Sequence, residues 1–230
     1  DDALERCEIT TPPKVKGVKN VRNAEALIEP IEKAILRAKN NVSVFRDGTI
    51  RFDMVDITMT HFRPSEVGMS LKQAHELGYM VDSVDQVIEI FPQDVVIPEN
   101  CVEDIIEVCQ FTDAELKYIY ELEPYYNVET PEDLIGQLIM GIAPHTSGAI
   151  LGRIIGFTSV KGHYGHPFYH AAKRRNCDGD IDAIIMLTEG VLNFSRQFLP
   201  RSRGGQMDAP LILTMGINPN EIDKEALNVE

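Results

Sequence analysis

The chain has 230 residues, 43% of them hydrophobic and 25% charged, with a formal net charge of −14. This composition excludes a wholly disordered polymer, which could not leave so much apolar surface in water, and it suits one large domain or two small ones. The charge is uneven: residues 1–144 hold 13 Lys or Arg against 27 Asp or Glu, whereas residues 145–210 hold eight against five. Either the basic excess is chance clustering or the second stretch meets an anionic partner.

Residues 1–40 read as a linker followed by a helix. Pro12-Pro13 and Lys14, Lys16 and Lys19 mark the linker, and Leu27, Ile31, Ala34, Ile35 and Ala38 recur at helical steps from about Ala24 to Lys39. Pro30 predicts a kink or a late start near Glu29. Asp47-Gly48 between Val42–Phe45 and Thr49–Phe52 predicts a hairpin, because both turn residues tolerate positive φ. Strand character continues over Val55–Met59, a helix is expected from Pro64 to Leu77 with Gly78 as its stop, and 87–90 and 95–97 read as short strands.

Residues 101–121 carry a helical pattern, and Thr130-Pro131 reads as the start of a second helix reaching Met140. Ala149–Ile155 is apolar and fits a strand or a helix equally. Ile184, Leu187, Val191, Phe194 and Phe198 step by three and four and predict an amphipathic helix closed by Pro200. Leu211–Met215 predicts a final strand. Alternation of strands and helices gives an α/β or α+β class.

The uncharged run Leu134–Gly152 contains Gln137, Pro144, His145, Thr146 and Ser147, too polar for a membrane span, and no membrane partner or signal peptide is expected. The chain opens Asp1-Asp2-Ala3 without Met, so a longer parent is expected. Cys7, Cys101, Cys109 and Cys177 form no C-x-x-C pair. Reduced, buried thiols in a cytoplasmic protein are expected, and a zinc ribbon is not.

The chemistry concentrates between residues 145 and 210. Asn176-Cys177-Asp178-Gly179-Asp180-Ile181-Asp182 places three carboxylates at alternate positions, which face one way in an extended loop. Without a counter-ion they would repel, and a divalent cation such as Mg²⁺ removes that penalty. A solvated turn capped by Asp is the plainer alternative. A calcium loop running from Asp178 to Glu189 would need Gly where Ala183 stands. Cys177 beside Asp178 is a poor nucleophile, since an adjacent carboxylate raises a thiol pKa.

Lys173-Arg174-Arg175 immediately precedes the acids and is either a solvated face or a phosphate-binding group; Arg203-Gly204-Gly205 is either a turn or a place of close ligand approach. His145, His163, His166 and His170 include spacings that zinc could use. Pro167, Tyr164, Phe168 and Tyr169 among them favour packed or substrate-facing roles instead.

The runs His145–Ser147, Gly152–Thr158, His166–Asp180 and Arg203–Leu211, with Asp47–Asp53, Thr60–Pro64 and Glu123–Asn127 upstream, closely resemble the large catalytic subunit of archaeal family D DNA polymerase. The likeness spans about Val15 to the end.

It implies an α+β (mixed α/β) fold, a double-psi β-barrel with a helical insertion. The resulting division is 1–40 linker and helix, 41–100 first part of the barrel, 101–141 helical insertion, and 142–230 second part with the metal loop. It implies a DNA-directed DNA polymerase using two Mg²⁺ ions, with primer-template DNA, deoxynucleoside triphosphates and a small exonuclease subunit as partners. No zinc is expected in this segment.

Carried onto this chain, Asn176, Asp178 and Asp180 become catalytic metal-site residues and Asp182 a further candidate ligand. Lys173, Arg174, Arg175 and Arg203 become phosphate contacts. Ile181 departs from the acid common in the family. The family's other barrel and its zinc-binding clusters would lie upstream, which leaves half an active site here. A non-catalytic nucleic-acid-binding or subunit-assembly barrel is the alternative.

Overall fold

A computed structural model describes residues 2–11, 13–14, 29–175 and 179–221. The helix expected from Ala24 lies outside the described residues as far as 28, as do Asn176, Cys177 and Asp178. The chain divides into two compact units. One comprises Asp1–Arg51, Glu103–Asp133 and Ile185–Gln206; the other comprises Phe52–Val102, Leu134–Ile184 and Met207–Glu230.

The first unit is helical. It holds α1 (Asp2–Arg6) and α2 (Ile31–Lys39), which starts directly after Pro30, where a fixed φ and a missing N–H do no harm. Of the expected hairpin only the turn at Asp47-Gly48 forms; residues 42–45 and 49–51 are not strand, and strand begins at Phe52. Phe45 N donates to Thr49 O at 2.7 Å, and Asp47 Oδ1 accepts from Thr49 N at 3.0 Å. Gly48 has φ +92°, and a Cβ there would lie 2.5 Å from the Asn193 carbonyl oxygen, so glycine is required.

The second unit carries β1 (Phe52–Thr58), β2 (His61–Phe62), α3 (Leu71–Glu76), β3 (Ile88–Glu89) and β4 (Asp94–Pro98). The helix expected over 64–77 is two pieces, a 3-10 turn at Pro64–Val67 and then α3, because Gly68 turns left-handed at φ +72°. Ser70 caps α3, its hydroxyl accepting from Gln73 N. Then α4 (Val102–Tyr118), all but its first residue in the helical unit, matches the expectation for 101–121.

Two expected helices prove to be shorter than expected and partly strand. Pro131–Leu134 is only a 3-10 turn, and β5 (Leu138–Ile142) follows. Asp133 accepts from Thr130 N at 2.8 Å, and Gly136 at φ +93° ends the turn. β6 (Gly148–Thr158), β7 (Gly162–Gly165), α5 (Pro167–Ala172) and β8 (Ile181–Met186) come next. The stripe starting at Ile184 therefore begins in a strand, and α6 is confined to Leu187–Asn193. Ala183–Met186 is buried throughout, and a short continuous apolar run has no period to separate strand from helix. β8 also occupies residues that a calcium loop would need as coil. The last strand is β9 (Ile212–Thr214).

The fold is thus mixed α/β. Seven strands run in the order β4-β7-β1-β8-β5-β6-β9, and β4 also pairs with β6, so the first six close into a ring. Parallel pairs (β1–β7, β4–β6, β6–β9) and antiparallel pairs (β1–β8, β4–β7, β5–β6) are mixed. A core cluster of Phe62, Val67, Met69, Ala74, Tyr79, Val81, Ile90, Val96 and Ile155 packs α3 and its neighbours on this sheet. Among the described residues no helix is long and apolar enough to cross a membrane.

Candidate active site

The site lies in the sheet-containing unit, where β1, β7, β8 and the end of α5 bring charged side chains together. β1 and β8 pair antiparallel with Met54 opposite Asp182, and Asp56 N donates to the Asp180 carbonyl at 2.7 Å. That register fixes the backbone on which Asp180 stands.

α5 starts at Pro167, capped by His166, whose Nδ1 accepts from Phe168 N at 3.0 Å. Its buried face carries Tyr169 and His170, and Lys173 follows at its C-terminal end. Lys173 is 3% exposed. Its Nζ lies 3.2 Å from both oxygens of Asp56 and also meets Asp182 Oδ2.

Arg175 closes the loop that follows: Nε donates to Asp182 Oδ1 at 2.8 Å, Nη2 to Ile181 O at 3.0 Å, and Nη1 lies 3.3 Å from Asp180 Oδ2. Two buried carboxylates are therefore neutralised by one ammonium and one guanidinium, which is how buried charge is tolerated.

Asp56 also faces two histidines. His163 Nε2 is 3.0 Å from Oδ1 and His170 Nδ1 is 3.2 Å from Oδ2, while His170 Nε2 sits 3.1 Å from the Ile57 carbonyl. Burial pushes the Asp56 carboxyl up, but His170 and the Lys173 charge outweigh it and hold the group below the usual carboxylate range. Burial, then Lys173, drives the His163 imidazole well down against the opposing pull of Asp56, and so favours its neutral form.

Asp56, His163 and His170 each offer a ligand atom, all within 4.8 Å of one another. Such a nitrogen-rich set suits zinc or another transition ion better than Mg²⁺, but the Lys173 ammonium already supplies positive charge at that carboxylate.

The acids of the motif differ in placement. Asp182 is 1% exposed with both oxygens engaged, whereas the Asp180 side chain is 41% exposed and keeps an accessible carboxylate. The oxygen donors of Asp180, with Asp178 and Asn176 beside it in sequence, fit a hard divalent ion such as Mg²⁺.

Among the basic residues expected to meet phosphates, Arg174 is exposed. Lys173 is turned inward to Asp56 and Asp182, and Arg175 is committed to the loop. Arg203 lies exposed in a 3-10 turn, Arg203–Gln206, of the helical unit.

The sequence reading missed Asp56. The signal was its strand parity: Asp56 shares a face with the buried Met54, where a solvated acid would not stand. The histidines that meet are His163 and His170, seven residues apart on a strand and a helix. Neither zinc-like spacing in the sequence paired those two.

Over residues 8–230 the chain matches the model of the family described as DNA polymerase II large subunit DP2, catalytic domain. It is 52% identical to the DNA polymerase II large subunit of Methanocorpusculum labreanum over 228 residues, covering 96% of this chain and 20% of that protein. It is 55% identical to that of Thermoplasma volcanium over 215 residues, covering 94% and 20%, and 50% identical to that of Methanothermobacter thermautotrophicus over 235 residues, covering 99% and 22%. The chain thus spans about one fifth of the length of these relatives. A match over nearly its whole length, with the acid-bearing loop inside it, places this chain in the family of the catalytic domain of the DNA polymerase II large subunit.

Proposed function

We propose that the chain is the metal-binding segment of a replicative, cytoplasmic DNA-directed DNA polymerase. The reaction is nucleotidyl transfer, in which a primer 3′-hydroxyl attacks the α-phosphate of a deoxynucleoside triphosphate and pyrophosphate leaves. The observation that carries this reading is the Asp180 carboxylate, accessible on a loop whose base Arg175 and Asp182 tie shut, within a chain of this family.

Asp178, Asp180 and Asn176 would hold two Mg²⁺ ions. Bound there, the metal would supply Lewis acidity that lowers the pKa of the attacking hydroxyl and would offset charge on the leaving oxygen. Lys173, Asp56 and Asp182 keep the loop backbone in place, because a misplaced ligand set loses rate steeply. Arg174 and Arg203 present cationic groups to phosphates. The closed ring of six strands supports a double-psi barrel. Exonuclease activity belongs in this reading to a separate small subunit.

The test is Asp180→Ala in the full-length protein with primer-template and Mg²⁺. Templated extension should fall by several orders of magnitude with an unchanged thermal midpoint, since water cannot replace a metal-binding carboxylate. Near-normal extension would leave only a binding or assembly module.

A further inference from the structure

A cleft of about 440 Å³ opens in the sheet-containing unit between the β5–β6 loop, β9 and the end of α5. His145, Ser147, Arg174, Ile150 and Ile212 are among its lining residues, and among the described residues no carboxylate lines it. Lys173 lines it too, with its ammonium committed to Asp56 and Asp182.

The backbone around this cleft is unusual. Seven non-glycine residues have positive φ among the described residues, and three belong here: His145, Arg174 and Asp208, each at 61°. Asp208 supports the loop from behind. Its carboxylate accepts from His145 N, and its own N–H donates to Thr146 O at 2.8 Å. The Thr146 hydroxyl donates to Ala143 O at 2.7 Å, so the loop is braced from within.

Arg174 stands just past α5, where Arg175 N donates to His170 O at 3.0 Å and Arg174 N to Ala171 O at 2.9 Å. This pair of bonds is the Schellman stop, whose left-handed position favours glycine. An arginine there carries a steric penalty that glycine would avoid. Its guanidinium is exposed, and no ion pair engages it among the described residues. Strain held at several points around one cleft is a pointer to function rather than to packing.

We infer that this cleft seats a phosphate group, with the Arg174 guanidinium and the His145 imidazole as its donors and Ile150 and Ile212 as apolar surface for the attached sugar. Arginine suits this task because its planar donors match phosphate oxygens in pairs. The inference rests on the polymerase reading for the identity of the substrate. The phosphate is either one of the DNA backbone or one of the incoming nucleotide.

The experiment uses the full-length protein with Arg174→Gly and, separately, His145→Asn; both replacements tolerate a left-handed backbone. Equilibrium binding of primer-template DNA is measured across a salt series, and KM is measured for deoxynucleoside triphosphates. A backbone phosphate predicts about tenfold weaker DNA binding by Arg174→Gly, a salt slope shallower by about one unit and an unchanged KM. A nucleotide phosphate predicts about a tenfold higher KM with DNA binding unchanged. In both arms the thermal midpoint of Arg174→Gly should equal or exceed that of the parent, because the strain has gone.

Unchanged DNA binding and unchanged KM for both variants would overturn the inference. Asp180→Ala runs in parallel. If it still extends primers while Arg174→Gly loses DNA binding, the catalytic reading falls and the phosphate seat stands.

Discussion

Lys173 shows how one side chain can join two carboxylates that would otherwise repel. It touches Asp56 and Asp182, and all three are nearly inaccessible to solvent. Removing one partner of such a group leaves uncompensated buried charge. Lys173→Met should therefore destabilise the protein by roughly 3–5 kcal/mol, read from denaturant midpoints, and Asp182→Asn added to it should restore part of that loss. A loss under about 1 kcal/mol would mean that Asp56 and Asp182 do not depend on the ammonium.

In the helical unit, Glu189 and Glu115 are both fully buried. Ile50 N donates to Glu189 at 3.1 Å, and Asn193 Nδ2 to Glu115 at 2.7 Å. Burial is the main cause that raises both carboxyls; Glu115 and Asp47 add to it at Glu189, while Lys33 and Arg37 oppose it at Glu115. A folded pKa above the unfolded one means that the folded state holds the proton more tightly. The associated stability is complete below the unfolded carboxylate pKa and is lost as pH rises toward the folded value. Glu189→Gln should thus raise the thermal midpoint by a few degrees at pH 8 and by less at pH 5. A variant whose gain is the same at both pH values would rule out the titration.

At the scale of elements, α5 sits against β5 and β6 through the absence of side chains. A Cβ at Gly141 would lie 2.2 Å from Tyr169 Oη, and one at Gly152 2.9 Å from the same atom. These two strand glycines make room for a fully buried ring, over which Lys173 Nζ lies 4.8 Å from the centroid. Gly141→Ala should cost about 1–3 kcal/mol by overpacking, and Tyr169→Phe in that background should recover part of it by removing the hydroxyl that clashes. The Tyr169 hydroxyl is buried without a hydrogen-bond partner among the described residues, so Tyr169→Phe by itself should be near neutral or stabilising. Calorimetry or urea titration of the four proteins decides it: no rescue in the double variant would separate the glycine from the ring.

For the whole molecule, the chain corresponds to about one fifth of its relatives, and an electrostatic site acts only when every donor around the reacting phosphate is in place. The purified 230-residue chain should bind divalent metal weakly and extend no primer, while the full-length protein extends it. Robust templated extension by the 230 residues would show that the catalytic machinery is complete within them.

The local features were legible because their causes are local. The Asp47-Gly48 turn and the helix at 102–118 each depend on a few adjacent residues. The acid motif likewise announced itself through its spacing and its resemblance to a polymerase family. Strands β5 and β8 were not legible, because a buried apolar run of five or six residues takes its conformation from the neighbours it pairs with.

The sequence by itself determined which groups are available: three acids at alternate positions and a basic triplet ahead of them. Only the tertiary structure decided their tasks. Pairing of β1 with β8 sets Asp182 opposite Met54 on the buried side, where Lys173 and Arg175 claim both its oxygens, while Asp180, two residues earlier, keeps an exposed carboxylate. The same pairing brings in Asp56, more than a hundred residues away in sequence, because a charge buried by the fold must find its counter-charge wherever the chain crosses itself.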